Sequence, residues 1–244
     1  MTVTVEGSTV LVTGANGGLG TEFVHQAIDL GATKVYATAR TPRDWANPQV
    51  VPLHLDVTDE ASVAAAADAA SDTTIVINNA GILRYTDRLL TDDMSDIRKM
   101  FETNFFGALN VARAFAPILG ANGGGAFIDV HSVLSWIVAD PLQRSVGLGA
   151  YSASKSAFWS ATNSMRLELI GQGTHVLGLH LGYTDTPMIA EVTDQKEDPA
   201  DIVRIAYAGL AAGQHEVLAD KRSVLVKQAL SGPIEGLYPL LADA

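Results

Sequence analysis

Short apolar runs alternate along the chain with longer stretches whose apolar residues recur at helical spacing. Seven runs, most of them rich in β-branched residues, are predicted to form strands: 8–13, 33–38, 50–55, 74–78, 126–131, 174–181 and 216–218. Helices are predicted between them: 18–30, from 58 onward, two stretches within 93–120, 150–170 and 199–213. Strands that are almost wholly apolar and alternate with helices are typical of a parallel sheet covered on both faces. The pattern therefore predicts an α/β protein with three layers, helices on either side of a Rossmann-type doubly wound parallel sheet.

Polar residues indicate where two of the helices begin. Thr58 is predicted to cap the second helix, because acidic residues follow it in the first turn, where the helix dipole favours them. Asp198 and Pro199 predict the start of a later helix, and Gly213 predicts its end. No repeat, low-complexity linker or charge run marks a boundary, so residues 1–244 are predicted to form a single domain.

Composition narrows the classes of function. The 244 residues carry 16 Lys and Arg against 27 Asp and Glu, a net charge of −11, and no cysteine. The acidic balance disfavours nucleic acid and anionic membranes as partners, and the lack of cysteine excludes disulfides and thiol chemistry. The start of the chain lacks the pattern of a signal peptide, and no apolar run is long enough to span a bilayer. We expect a cytoplasmic protein that acts on small molecules.

A glycine-rich loop joins the first predicted strand to the first helix. Its sequence from Thr13 is Thr-Gly-Ala-Asn-Gly-Gly-Leu-Gly. Gly14 permits a tight turn, Gly18 lets the backbone approach a pyrophosphate, and Gly20 allows the helix to pack on the strand. The loop predicts a dinucleotide site, although a glycine-rich turn alone is a weak signal.

The end of the second strand indicates which dinucleotide is preferred. NAD-binding folds place an acid there to hold the ribose hydroxyl, whereas this chain has Ala39 and Arg40. A guanidinium can bind a 2′-phosphate bidentately, so NADP(H) is favoured over NAD(H). Arg43 is an alternative to Arg40 for this role, and the glycine loop itself carries no basic residue.

A second motif contains Tyr151 and Lys155, which lie four residues apart on a predicted helix and so share a face. A nearby ammonium favours the phenolate, so the pair predicts a tyrosine whose pKa is lowered towards neutrality. Together with the glycine loop, Asp56-Val57, Asn78-Asn79-Ala80-Gly81, Asn104 and Ser132, the pair resembles the short-chain dehydrogenase/reductase family over nearly the whole chain.

The resemblance implies a set of catalytic and cofactor-binding residues. Tyr151 would be the general acid and base, Ser132 would orient the substrate oxygen, Lys155 would lower the pKa of Tyr151 and hold the nicotinamide ribose, and Asn104 would support a water relay. The cofactor would be bound by Gly14, Asn16, Gly18, Leu19, Gly20, Arg40, Asp56, Val57, Asn79, Ala80, Gly81, Tyr151, Lys155, Gly182, Thr184 and Thr186. The implied activity is hydride transfer between a nicotinamide and a carbonyl or secondary alcohol.

Three departures from the family pattern affect the pocket. Ser132 and Tyr151 are 19 residues apart, which predicts an inserted loop near 140–144 and makes Ser135 an alternative to Ser132. His131 stands where a small residue is usual, and Leu181 replaces a proline. We expect these changes to alter the shape of the pocket and not its chemistry.

The substrate region is predicted from the segments around these residues. Residues 187–199 are interpreted as a substrate lid, with an ordinary surface loop as the alternative. An apolar ketone or aldehyde is favoured by the nearby residues Leu134, Trp136, Ile137 and Tyr183. No basic residue is predicted to bind an anionic group of the substrate.

Other functions remain as alternatives. A non-catalytic NADP(H)-binding sensor would need only the glycine loop, whereas this chain keeps all four catalytic residues. Lys155 and the glycines disfavour halohydrin dehalogenation, and the companion motifs of serine acylases are absent. No metal site is predicted. Apolar residues in the helices at 97–119 and 150–169 exceed what one buried face requires, so a homodimer or homotetramer is expected.

Overall fold

In the computed structural model, seven strands form one parallel sheet. The structure describes residues 2–85, 89–90, 93–138 and 148–242. The strands are β1 (Thr9–Thr13), β2 (Lys34–Ala39), β3 (Val50–His54), β4 (Ile75–Asn78), β5 (Gly125–Val130), β6 (Thr174–His180) and β7 (Glu216–Leu218). Their order is β3-β2-β1-β4-β5-β6-β7, and every neighbouring pair is parallel. The predicted doubly wound α/β fold is confirmed.

Helices cover both faces of this sheet. They are α1 (Gly18–Asp29), α2 (Glu60–Ala69), α3 (Met94–Phe101), α4 (Ala108–Ala121), α5 (Gly149–Glu168), α6 (Pro199–Ala211), α7 (Lys221–Ala229) and α8 (Ile234–Leu237). One core contains Phe23 of α1 and Val203 of α6, and the other contains Val63 of α2 and Phe115 of α4. Because both faces are buried, the central strands are apolar throughout, as the sequence pattern predicted.

Several local details differ from the sequence predictions. The cap of α2 is Asp59 and not Thr58: the Asp59 carboxylate accepts a hydrogen bond of 2.9 Å from the Ala61 amide, whereas Thr58 donates to Asp56. The prediction was wrong because Asp56 already binds the Thr58 hydroxyl. Helices α7 and α8 were not predicted. The predicted insertion near 140–144 lies outside the described residues.

The remaining helix boundaries agree with the sequence. Asp198 caps α6, where its carboxylate accepts a 2.8 Å hydrogen bond from Ala200, and Pro199 occupies the first turn. Gly213 follows the helix with a φ of 69°. None of the described helices is both long and apolar enough to cross a membrane. The cytoplasmic location stays a prediction.

Candidate active site

A cleft of about 920 Å³ crosses the carboxyl edge of the sheet. It lies where the chain order reverses between β1 and β4, the position at which open α/β sheets bind ligands. Most of the predicted site residues line it: Gly14, Gly18, Leu19, Asn79, Ala80, Gly81, Ser132, Tyr151, Lys155, Gly182, Thr184 and Thr186. Residues from distant parts of the chain thus share one cavity.

Close backbone contacts hold the glycine loop against the segment after β4. Gly14 has a φ of 67°, in the left-handed region that favours glycine. Asn79 donates from its side chain to the carbonyl oxygens of Thr13 at 2.8 Å and Gly14 at 3.2 Å. A Cβ at Gly20 would lie 2.2 Å from the Gly14 carbonyl oxygen, so helix α1 can pack here only with glycine.

The space above this loop fits the diphosphate of a dinucleotide. Gly18 has a φ of 52°, and a Cβ there would lie 3.0 Å from the Thr186 side chain across the cleft. The chain therefore keeps the cleft narrow and free of side chains at the amino end of α1, where backbone amides and the helix dipole favour an anion. The residues present fit the predicted cofactor.

Some predicted cofactor residues lie outside the cleft. Asn16 donates a 2.7 Å hydrogen bond to the Thr41 carbonyl oxygen and so ties the glycine loop to the segment after β2. Arg40 is exposed at the end of β2, close enough to Asp56 that its charge helps to lower the pKa of that carboxyl, after the larger effect of the Thr58 backbone hydrogen bond. Val57 is buried against Gly107.

Ser132, Tyr151 and Lys155 meet on the opposite wall. Ser132 begins a short helical turn after β5, and its hydroxyl accepts a 3.2 Å hydrogen bond from the Leu134 amide. Tyr151 and Lys155 lie on α5, and both are more than nine-tenths buried. The Lys155 Nζ donates a 2.8 Å hydrogen bond to the Val130 carbonyl oxygen and lies 6.0 Å from the centre of the Tyr151 ring.

Burial controls the protonation of this pair. It raises the pKa of the Tyr151 phenol, and the interaction with the Ser132 hydroxyl acts in the opposite direction. Burial also lowers the pKa of Lys155 to about 8, against the attraction of the buried Asp129. In this structure burial outweighs the pKa-lowering effect predicted for Lys155, because removal of the phenol from water disfavours its charged form. The phenol is neutral at pH 7.

Asn104 lies behind the cleft on a π-helical turn, Glu102–Gly107, between α3 and α4. Its side-chain oxygen accepts from the Ile82 amide at 2.8 Å, and its amide group donates to the Ile82 carbonyl oxygen at 3.0 Å and to Ser154 at 3.1 Å. Asn104 therefore fixes the segment after β4 to helix α5. Single π-helical turns are frequent at functional sites.

The part of the cleft predicted to hold the substrate carries many apolar side chains. Its described lining includes Leu83, Leu134, Leu148, Met188, Ile189 and Val192. Trp136 and Ile137 were predicted to belong here, but they line a separate pocket of about 360 Å³, and the Trp136 ring stacks on His180 at 3.9 Å. The short turn after Ser132 directs both side chains away from the cleft. His131 is buried and also stacks on His180, at 4.9 Å.

One charged residue of the cleft was missed. Arg222, in the first turn of the unpredicted helix α7, lines the wall beside Gly182 and Tyr183. No basic residue was predicted at this wall from the sequence, whereas the structure places Arg222 there. A signal was present, because Asp220 followed by Ser223 after the last strand is typical of a helix start. Among the residues with described positions, no cluster of His, Asp or Glu has the arrangement of a metal site.

Comparisons with known proteins agree with this architecture. The family model for short chain dehydrogenases matches residues 8–197. Galactitol 2-dehydrogenase (L-tagatose-forming) of Cereibacter sphaeroides is 32% identical over 202 residues, covering 79% of this chain and 78% of the relative. An NADP-dependent 3-hydroxy acid dehydrogenase of Schizosaccharomyces pombe is 26% identical over 243 residues, covering 88% and 92%.

A solved structure is similar over nearly the full length. The crystal structure of a short chain dehydrogenase from Burkholderia cenocepacia J2315 in complex with NADP has a TM-score of 0.84 and 37% identity, and the match covers 94% of this chain and 95% of that one. The region matched by the family model contains the glycine loop, Ser132, Tyr151 and Lys155. The chain therefore belongs to the short-chain dehydrogenase/reductase family and is an oxidoreductase that uses a nicotinamide cofactor.

Proposed function

We propose that this protein is an NADP(H)-dependent carbonyl reductase or alcohol dehydrogenase that interconverts a ketone or aldehyde with its alcohol. The observation that carries the proposal is that Ser132, Tyr151 and Lys155 line one wall of a cleft whose other end is the glycine loop. A hydride donor bound along the loop and a carbonyl oxygen beside the hydroxyls would then meet in one cavity.

The proton chemistry follows from the buried hydroxyls. When bound, the reduced nicotinamide would be the source of the hydride for the carbonyl carbon. Tyr151 donates its phenolic proton to the carbonyl oxygen, for which the neutral phenol favoured by burial is the required form. The Ser132 hydroxyl donates a hydrogen bond to the same oxygen as negative charge develops there. The Lys155 ammonium stabilises the tyrosinate that remains.

We assign the cofactor contacts by position in the cleft. The diphosphate would lie on Gly14, Gly18 and Leu19, with Gly20 and Asn16 holding the loop in shape. The nicotinamide and its ribose would lie against Asn79, Ala80, Gly81, Tyr151, Lys155, Gly182, Thr184 and Thr186. The adenosine would lie near Asp56 and Val57. Asn104 is a positioning residue in this assignment.

Arg40 supports a preference for NADP(H). It is exposed at the end of β2, where an NAD-binding fold would instead carry an acid that holds the ribose hydroxyl. The guanidinium of Arg43 lies 4.2 Å from the Trp45 ring, so the stacked Arg43 is the second candidate. The NADP-dependent relative and the NADP complex of the similar structure support the same choice.

We propose that residues 187–199 act as the substrate lid. The segment lines the cleft from Pro187 to Asp194, and its two ends are joined, because the Asp185 amide donates to the Glu197 carbonyl oxygen at 2.9 Å and the Glu197 amide donates to Tyr183 at 2.8 Å. A loop whose ends are fixed can move as a unit. Its apolar residues would cover the body of the substrate.

We also propose that the protein is a homo-oligomer. Phe106 is 45% exposed before α4, and Leu167 and Ile170 are 77% and 75% exposed at the end of α5. Large apolar side chains that stay exposed on the protein surface favour association. Light scattering of the purified protein will show a dimer or tetramer, and a monomer at micromolar concentration contradicts this proposal.

The activity is tested by following oxidation of NADPH and NADH against aliphatic and aryl aldehydes, ketones and diketones. We expect turnover with NADPH and a fall in kcat of roughly 10²- to 10⁴-fold in Tyr151→Phe. Tyr207→Phe is the matched control, because it removes another buried hydroxyl whose partner is the Phe23 carbonyl oxygen, away from the cleft. Tight NADPH binding without any turnover would instead support the sensor function.

A further inference from the structure

Arg222 lines the cleft, and its charge has no part in the proposed hydride transfer. Apart from Lys155, it is the only Lys or Arg among the described residues that line the cleft. Its side chain is partly buried, and the guanidinium carbon lies 4.8 Å from the centre of the Tyr183 ring. Stacking on an aromatic face leaves the in-plane N–H donors of a guanidinium free for a ligand.

The backbone that carries Arg222 is firmly held. Asp220 caps helix α7 by accepting from the Ser223 amide at 2.7 Å, and its other oxygen accepts from the Gly182 amide. The Ser223 hydroxyl lies 3.1 Å from the carbonyl oxygen of His180. Arg222 is thereby tied to the loop after β6, beside the proposed nicotinamide site. A recognition group needs such a rigid support.

The strand order places Arg222 on the substrate side of the cleft. The glycine loop follows β1, whereas Arg222 follows β7, four strand positions away in the sheet. At about 4.8 Å per strand, the two elements are roughly 19 Å apart, beyond the reach of one side chain. Ser132 follows β5, between them. Arg222 is therefore remote from a diphosphate on the glycine loop and near the reacting carbonyl.

The charges around Arg222 favour a monoanion. Within the described parts of the chain, no carboxylate oxygen lies within 4.0 Å of its guanidinium nitrogens. Glu191 and Asp194 line the same cleft but are exposed, so water screens them. A partly buried cation without an ionic partner gains from a bound anion. A single guanidinium neutralises one negative charge, so a monoanion matches it better than a dianion such as a phosphate monoester.

We infer that Arg222 binds a carboxylate of the substrate, so that the preferred substrate is an oxo acid with an apolar body. This inference rests on the proposed hydride transfer and replaces the sequence-based prediction of a wholly apolar substrate. The apolar lining accommodates the body, Ser132 and Tyr151 hold the carbonyl oxygen, and Arg222 fixes the acidic end. Such a remote contact orients the carbonyl before reaction.

The test compares acids with their neutral esters. NADPH oxidation is measured for 4-carboxybenzaldehyde and levulinate, for their methyl esters and for a phosphorylated aldehyde, with wild type, Arg222→Met, Arg222→Lys and Arg204→Met. Arg204 is the control because it is an exposed arginine on α6, paired with Asp201. We expect Arg222→Met to lower kcat/KM for the acids roughly 10- to 100-fold, mainly through KM, with little change for the esters. Arg222→Lys recovers part of the loss, and Arg204→Met behaves as wild type.

Each alternative outcome has a separate meaning. Equal losses for acids and esters in Arg222→Met assign Arg222 a structural role through Tyr183 and overturn the inference. A raised KM for NADPH with every substrate shows a cofactor contact and also overturns it, as does a preference for the phosphorylated aldehyde. If wild type reduces the esters but not the acids, the inference fails while the proposed function stands. If wild type reduces no carbonyl compound, the proposed function itself fails.

Discussion

The two ends of the cleft are built in different ways. At the glycine-loop end, eight consecutive residues from Thr13 to Gly20 form a turn whose shape depends on the absence of side chains, and Asn79 holds it through backbone oxygens. At the substrate end, Ser132, Tyr151 and Arg222 come from three separate elements. The first end is determined by local backbone sterics, and the second by how distant elements pack. The predictions below test this contrast, from the largest expected effect to the smallest.

Adding one Cβ at Gly20 is expected to disrupt the packing of the glycine loop. The new atom would lie 2.2 Å from the Gly14 carbonyl oxygen and 2.9 Å from the Asn79 side chain. We expect Gly20→Ala to lower the free energy of unfolding by about 3 kcal/mol and to abolish tight NADPH binding. The control is Gly17→Ala, because a Cβ at Gly17 meets nothing within 4 Å; its cost should stay below about 1 kcal/mol. Equal losses in urea denaturation of the two variants would contradict the steric explanation.

At the substrate end, substitutions of Ser132 and Ser135 are expected to change kcat by very different amounts. Ser132 lines the cleft, whereas the Ser135 hydroxyl only accepts a long 3.4 Å hydrogen bond from the Ser132 amide. Ser132→Ala should lower kcat roughly 100-fold, about 2.7 kcal/mol in the barrier, because a donor to the developing oxyanion is lost. Ser135→Ala should change kcat less than about threefold. Steady-state kinetics with one good carbonyl substrate will decide, and a larger effect at Ser135 would reverse the assignment.

Lys155 is expected to make stability depend on pH. Burial lowers its pKa from 10.5 to about 8, so between these values the unfolded chain binds the proton and the folded protein does not. Stability then rises with pH through this range, and the contribution of Lys155 levels off below about pH 8, where both states bind the proton. Relative to Lys155→Met, the free energy of unfolding of wild type should increase by about 2 kcal/mol from pH 8 to pH 10. Parallel urea-denaturation profiles for the two proteins would show that the ammonium is not desolvated.

Arg40 is expected to contribute to the binding of NADPH and not to the binding of NADH. Arg40→Met should raise KM for NADPH about tenfold and leave KM for NADH unchanged, because only NADPH carries the 2′-phosphate. Arg43→Met is the matched comparison, since Arg43 is an arginine on the same segment that already stacks on Trp45. If Arg43→Met has the larger effect, the phosphate contact belongs to Arg43. If neither variant alters the ratio of the two KM values, neither arginine binds the 2′-phosphate; a wild-type KM for NADH below that for NADPH contradicts the NADP(H) preference itself.

The sequence predicted the parts of the molecule that depend on neighbours in the chain. The strands, most helices and the glycine loop follow from apolar periodicity and from the special conformations of glycine. Asp198 and Pro199 marked the start of α6 correctly, whereas Thr58 failed as a cap because Asp56 binds its hydroxyl. Helix α7 was missed because its apolar residues show little periodicity, although Asp220 provided a cap signal.

For the candidate site, the sequence predicted the positions of several residues but not their protonation. Ser132, Tyr151 and Lys155 lie together in the cleft as the motif pattern implied, but the protonation of the pair did not follow the spacing. Two residues on one helix face can attract each other, yet burial raised the pKa of Tyr151, and burial is set by all the surrounding elements. Trp136 was close to Ser132 in sequence and still pointed elsewhere.

By itself, the sequence determined the α/β fold, the glycine loop and the position of Tyr151 and Lys155 on one face of a helix, because each depends on periodicity, backbone sterics or a four-residue helical repeat. Only the tertiary structure decided that Arg222 lines the cleft, that Trp136 does not, and that burial raises the pKa of the Tyr151 phenol. These properties depend on which distant elements exclude water from a side chain. Desolvation is a sum over neighbours in space, and the order of residues along the chain does not contain it.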